Sequence, residues 1–84
     1  MKIKVKLFAM LQDLLPPGSK DQMMELEVPE GSTPTYVIER LKIPEGMAHL
    51  VMLDGYHLLP DERHSRAIQP DEVLAIFPPI AGGW

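Results

Sequence analysis

The sequence predicts an α+β domain in which a mixed β-sheet carries a helix on one face. Three observations predict it. Residues 2–8 and 23–28 alternate polar and apolar side chains with the two-residue period of a half-buried strand. Residues 33–41 combine an N-cap, a proline at the first helical position and apolar residues three and four apart. A last apolar run, Val73 to Phe77, is apolar in both phases, as expected of a strand in mid-sheet covered on both sides.

In the first strand Lys2, Lys4 and Lys6 share one face and Ile3, Val5 and Leu7 the other. In MMELEV (23–28), Glu25 and Glu27 point out while Met24, Leu26 and Val28 point in. If the two strands pair, three lysines face two glutamates, and each such pair is worth a few tenths to about 1 kcal/mol and helps to set the register. Between them Met10, Leu11, Leu14 and Leu15 have helical spacing, and Pro16-Pro17-Gly18 stops a short helix. Pro29-Glu30-Gly31 turns the chain, Thr33 caps the longer helix, and Pro44 ends it. HLVMLDG (49–55) reads as a strand entering an Asp-Gly turn. Leu58 and Leu59 suggest a short strand, Pro60 to Gln69 a loop, and Pro70-Asp71 a turn into the final strand. The order of strand, short helix, strand, longer helix, strand, short strand, strand gives one layered sheet-and-helix unit.

Composition narrows the functional classes. With 84 residues and 45% hydrophobic content, the chain supports one small core and buries roughly 60–65% of its unfolded surface. It has no cysteine, which excludes disulfides, thiolate metal sites, a thiol nucleophile and sulfur carried on a cysteine. A net charge of −4 gives no broad phosphate-neutralising surface, so no nucleic-acid partner is expected. No apolar run approaches a membrane span, and the N-terminal lysines alternate with apolar residues instead of preceding them as in a signal peptide. A cytoplasmic protein without a membrane partner is the expectation.

Side-chain chemistry is sparse. His49, His57 and His64 are spaced by eight and seven residues, wider than the three to five or so typical of ligands on one element, so no metal is expected. Ser19, Ser32 and Ser65 lie in turn or loop contexts, where capping roles suffice. Asp61, Glu62, Asp71 and Glu72 also fall in loops, and no glycine pattern cradles a phosphate. Neither catalytic residues nor a cofactor are expected, and the chain reads as a non-enzyme.

The end of the chain is different. After Pro78-Pro79 come Ile80, Ala81, Gly82 and Gly83, then the only tryptophan, Trp84. Glycines without a Cβ suit a thin arm entering a narrow channel, and five residues reach at most about 17 Å. The division is therefore a domain at 1–79 and a flexible diglycine arm at 80–84.

Four segments, IKVKLFAML (3–11), LEVPEGST (26–33), VMLDG (51–55) and PDEVLAIFPPIAGG (70–83), resemble the MoaD/ThiS family of small sulfur-carrier proteins over essentially the whole length. The FPP-small-residue-GG ending is closer to the small subunit of molybdopterin synthase than to ThiS. The resemblance implies a β-grasp (ubiquitin-like) fold. It also implies that an E1-like enzyme uses ATP to adenylate the terminal glycine, which a sulfur donor then converts to a thiocarboxylate. Carried over, Gly83 is the residue activated, Gly82 its spacer within the arm 80–83, and Phe8 and Phe77 are docking residues for partners that include the synthase large subunit. Sheet-face or core packing serves equally well as a role for the two phenylalanines.

Three positions depart from the family pattern. Asp54 stands for a common asparagine and Pro70 for a common glycine, both conservative in turn chemistry. Trp84 places the terminal carboxylate on the wrong residue. A peptidase that removes Trp84 would expose Gly83 for sulfur loading, in molybdopterin formation or in a thiamine or other pathway. Alternatively Gly83 is joined to other proteins as a modifier, or Trp84 anchors a non-covalent binding module.

Overall fold

A computed structural model describes residues 1–44 and 46–79. Its strands are β1 (Lys2–Leu7), β2 (Met23–Glu27), β3 (Leu50–Leu53), β4 (Tyr56–His57) and β5 (Val73–Phe77). Helix α1 spans Pro34–Arg40, α2 spans Glu62–Ser65, and a 3-10 helix covers Ala9–Leu14. The sheet order is β2-β1-β5-β3-β4. β1 and β5 run parallel, and the β1–β2, β3–β5 and β3–β4 pairs are antiparallel. The predicted mixed sheet is present, with β5 at its centre.

Alternation along the strands separates two faces. Ile3, Val5 and Leu7 of β1, Val51 and Leu53 of β3, and Leu74 and Ile76 of β5 are buried with Val37 of α1, Val28, Leu58 and Ile68. Covering a Leu or Ile side chain in this way contributes about 1.5–3 kcal/mol each relative to exposure. α1 begins as the sequence indicates: Thr33 is extended, its Oγ1 accepts a hydrogen bond from the Tyr36 N–H at 3.3 Å, and Pro34 occupies the first turn, buried. The Ile68 N–H donates to the Ser32 carbonyl at 2.8 Å, tying the connection before β5 to the entry of α1.

The lysine–glutamate ladder forms in register, with Lys2 opposite Glu27 and Lys4 opposite Glu25, while Lys6 faces Met23. The N-terminal amine donates to the Val28 carbonyl at 2.7 Å. Asp54 (φ 50) and Gly55 (φ 88) make the left-handed pair of a tight turn between β3 and β4. The Asp54 carboxylate accepts the Val73 N–H at 3.0 Å, and the Asp54 N–H donates to the Val73 carbonyl at 2.8 Å, so the turn is fastened to the start of β5.

Several details differ from the sequence reading. β4 lies at Tyr56–His57, two residues before the expected Leu58–Leu59, because the two-residue turn puts residue 56 directly opposite Leu53. Leu58 instead drops into the core and Leu59 is exposed. The expected loop from Pro60 to Gln69 contains α2, whose start is fixed by the Glu62 carboxylate accepting the Leu59 N–H at 2.8 Å. The apolar residues on both faces of β5 do not mean burial on both: Leu74 and Ile76 are fully buried, whereas Val73, Ala75 and Phe77 are half-buried.

Because Ile76 is fully buried in the central strand, Ile76→Ala should lower unfolding stability by about 2–5 kcal/mol. Urea titration followed by far-UV circular dichroism measures this. A loss under about 1 kcal/mol would show that the core can collapse around the deletion.

Candidate functional site

The half-buried face of the sheet is built by the opposite phase of the same strands. Registers place Lys6 beside Ala75 and Ala75 beside Met52, with Leu50 beside Phe77. Met52 in turn faces His57 on the short edge strand. At the C-terminal end of β5 the rings of Phe8 and Phe77 stack nearly parallel, with an interplanar angle of 7° and centroids 4.1 Å apart. The two candidate docking residues, far apart in sequence, are thus brought together. Both are half-buried, so they pack on the sheet face and are not part of the closed core. The result is an apolar strip, Phe8, Phe77, Leu50, Ala75 and Met52, on the face opposite α1.

The same end of the sheet is the root of the terminal segment. The Phe8 N–H donates to the Ile76 carbonyl at 3.3 Å and the His49 N–H to the Phe77 carbonyl at 3.0 Å, so the last turn of β5 is held from both neighbouring strands. Pro78 continues the buried phase of Leu74 and Ile76, and Pro79 is exposed. Proline at these positions cannot donate to either neighbour, which ends the ladder. Ile80, Ala81, Gly82, Gly83 and Trp84, named from the sequence as arm, attachment point and cap, lie outside the described residues.

The other polar candidates fall into structural roles. Ser19 and Ser32 donate to the carbonyls of Pro16 and Pro29 at 2.7 and 2.6 Å, and Ser65 to that of Asp61 at 3.4 Å. His64 Nδ1 lies 2.9 Å from Thr35 Oγ1, linking α2 to α1. No cluster of histidine and acidic residues that could hold a metal occurs among the described residues. Among them, no helix is long and apolar enough to cross a membrane.

A groove of about 460 Å³ opens between α1 and α2, with Ile38, Ile43 and Pro44 among its apolar residues and Arg63 and His64 at its polar side. Sequence reasoning missed Arg63. Its guanidinium donates to the carbonyls of Ala48 and His49 at 2.8 and 3.0 Å, and burial lowers its pKa from the usual guanidinium value. It fastens α2 to the segment entering β3. The signal was absent because its partners are backbone carbonyls, which carry no residue identity.

The model of the ThiS family matches residues 5–83. The chain belongs to the ThiS family. Its members are small carrier proteins, and the fold here is the ubiquitin-like β-grasp. Among solved structures, the Pyrococcus furiosus protein assigned as molybdopterin converting factor subunit 1 is 27% identical, with a TM-score of 0.63 over 94% of this chain and 98% of that one. SAMP1 from Haloferax volcanii is 20% identical with a TM-score of 0.67, covering 99% of this chain and all of that one (100%). A complex of subunits 1 and 2 of the molybdopterin-converting factor from Helicobacter pylori contains a chain 15% identical, with a TM-score of 0.58 over 99% of this chain and 100% of that one. None of the curated proteins matches the chain. The family model and the Pyrococcus chain extend the resemblance beyond shape, whereas the other two likenesses concern the fold.

The Phe8–Phe77 stack gives a direct test of the site's construction. A double-mutant cycle of Phe8→Ala and Phe77→Ala, read by thermal unfolding, should give a coupling of about 0.5–1.5 kcal/mol. Additive effects would mean that each ring packs on the sheet independently of the other.

Proposed function

We propose that this member of the ThiS family is a cytoplasmic sulfur carrier for molybdopterin formation, made of a β-grasp body at 1–79 and a working arm at 80–83. A peptidase removes Trp84. The Gly83 carboxylate then attacks the α-phosphorus of ATP in an E1-like enzyme, releasing pyrophosphate and leaving an acyl-adenylate. A sulfur donor displaces AMP and leaves a terminal thiocarboxylate. That sulfur is delivered to a pterin precursor held by a synthase large subunit. The body contributes no catalytic side chain; the arm supplies the acyl group, and the body a face on which each partner docks.

The observation that carries this reading is the sequence FPPIAGG, which starts at the firmly held end of the central strand beside the stacked phenylalanines. An arm that must be placed within an ångström or so of a reacting atom needs a rigid root, and Ile76, Phe77 and Pro78 form one. The strip around Phe8 and Phe77 provides apolar docking surface at the same end. Ile80 and Ala81 then set the reach, while Gly82 and Gly83 pass where any Cβ would crowd. The likeness to converting factor subunit 1, and the assembly of its Helicobacter counterpart with subunit 2, support a synthase partner.

Trp84 favours a second reading. If it stays, adenylation is blocked, and its large apolar surface suits anchoring into a partner pocket as a binding module. A protein modifier, or a carrier for thiamine or a tungsten-pterin, would share the activated Gly83 and differ in the acceptor.

Intact mass of the protein isolated from its own cells separates these readings. The expected result is a chain ending at Gly83 with one carboxylate oxygen replaced by sulfur, and Gly83→Ala should abolish that species. Unsulfurated chains ending at Gly83, found attached to lysines of other proteins, would replace the carrier with a modifier. A population ending wholly at Trp84 would overturn both.

A further inference from the structure

The half-buried sheet face carries charge as well as apolar surface. The chain is acidic, with a net charge of −4, yet β1 sets Lys2, Lys4 and Lys6 in one row on this face. β2 places Glu27 opposite Lys2 and Glu25 opposite Lys4. The ion pair that forms is diagonal, from Lys2 Nζ to Glu25 at 4.0 Å, while Glu27 lies 3.6 Å from the N-terminal amine. Both carboxylates are therefore engaged at the Lys2 end. Among the described residues, Lys4 and Lys6 have no carboxylate oxygen within 4.0 Å. The neighbours of Lys6 across the two ladders are Met23 and Ala75, which offer no acceptor side chain. The next position in the same phase is Phe8, stacked on Phe77.

Lys6 thus lies one same-face step from Phe8 and its stack, near the end of the sheet from which the chain leaves through Pro79, and Lys4 lies one step further back beside Val73, neither of them in an ion pair among the described residues. We propose that Lys4 and Lys6 are the electrostatic half of the docking face, and that they seat a protein partner presenting carboxylates beside an apolar pocket. The partner is the synthase large subunit, so the inference rests on the docking role proposed above for Phe8 and Phe77. A phosphate polymer is a poorer fit, because two cations on a chain of net charge −4 release few counterions and the adjoining surface is apolar. Acidic residues facing this row would speed encounter and fix which end of the sheet meets the partner's site. Charges at the edge of an interface act mainly in this way, through association rate and salt dependence.

The test is association of the full-length chain with the purified synthase large subunit from the same genome, followed by biolayer interferometry from about 50 to 500 mM salt, a range over which the screening length falls severalfold. Lys4→Gln/Lys6→Gln should lower the association rate about tenfold at low salt and flatten the salt dependence. Lys4→Arg/Lys6→Arg, which keeps the charge, should restore both, separating charge from any effect on the strand. Phe77→Ala should instead raise the dissociation rate with the salt dependence kept. If the glutamine variant associates like the unaltered chain while Phe77→Ala still weakens binding, the face docks but the acidic-partner inference is overturned. If Phe77→Ala also binds normally, or neither the full-length chain nor a chain ending at Gly83 binds, the docking reading itself fails and takes this inference with it.

Discussion

The parallel pairing of β1 with β5 is the contact on which the rest of the molecule depends. Parallel neighbours cannot be joined by a tight turn, so everything between them, α1 included, is crossover. That crossover has to return the chain to the middle of the sheet, and doing so lays α1 over the phase that holds Ile3, Val5, Leu7, Leu74 and Ile76. The same pairing aligns the opposite phase: the lysine row beside Val73 and Ala75, and Phe8 against Phe77. One register therefore determines both the core and the face proposed for docking. A slip of one residue would exchange the two sets, burying lysines and exposing the core, which is why a register with one buried face is strongly specified.

Much of this was legible in the sequence because it rests on periodicity. Alternation in β1 and β2 assigned faces correctly, and Thr33-Pro34 marked the start of α1, since caps and strand phase are local properties. The central position of β5 was also legible, but its two-sided apolar character was read as burial on both faces. Composition records which residues avoid water and cannot say whether this chain or another one covers them. β4 was placed two residues late and α2 was read as loop for a related reason. Their limits are set by the Asp54-Gly55 turn and by the Glu62 carboxylate reaching the Leu59 N–H, interactions that override the weak preferences of Leu58 and Leu59. The approach of Phe8 to Phe77 required the β1–β5 pairing, and Arg63, bonded only to backbone carbonyls, left no trace at all.

The chain divides labour between order and access. A domain of this size can bury one sheet face with a single helix layer, leaving the other available for association. The proposed chemistry calls on no side chain of the body, because it takes a carboxylate on the chain itself as the reacting group. What the fold supplies is position: the backbone hydrogen bonds at Ile76 and Phe77 fix where the terminal segment starts.

The Asp54-Gly55 turn has a consequence for how the protein ages. Asp54 precedes a glycine whose unhindered backbone nitrogen can attack the side-chain carboxyl, expel water and form a ring that reopens through the wrong carboxyl, a lesion that heat accelerates. Here one Asp54 carboxylate oxygen is held by the Val73 N–H, directing the side chain toward β5. The bond that fastens the turn to the central strand therefore also restrains the group whose cyclisation would break that turn.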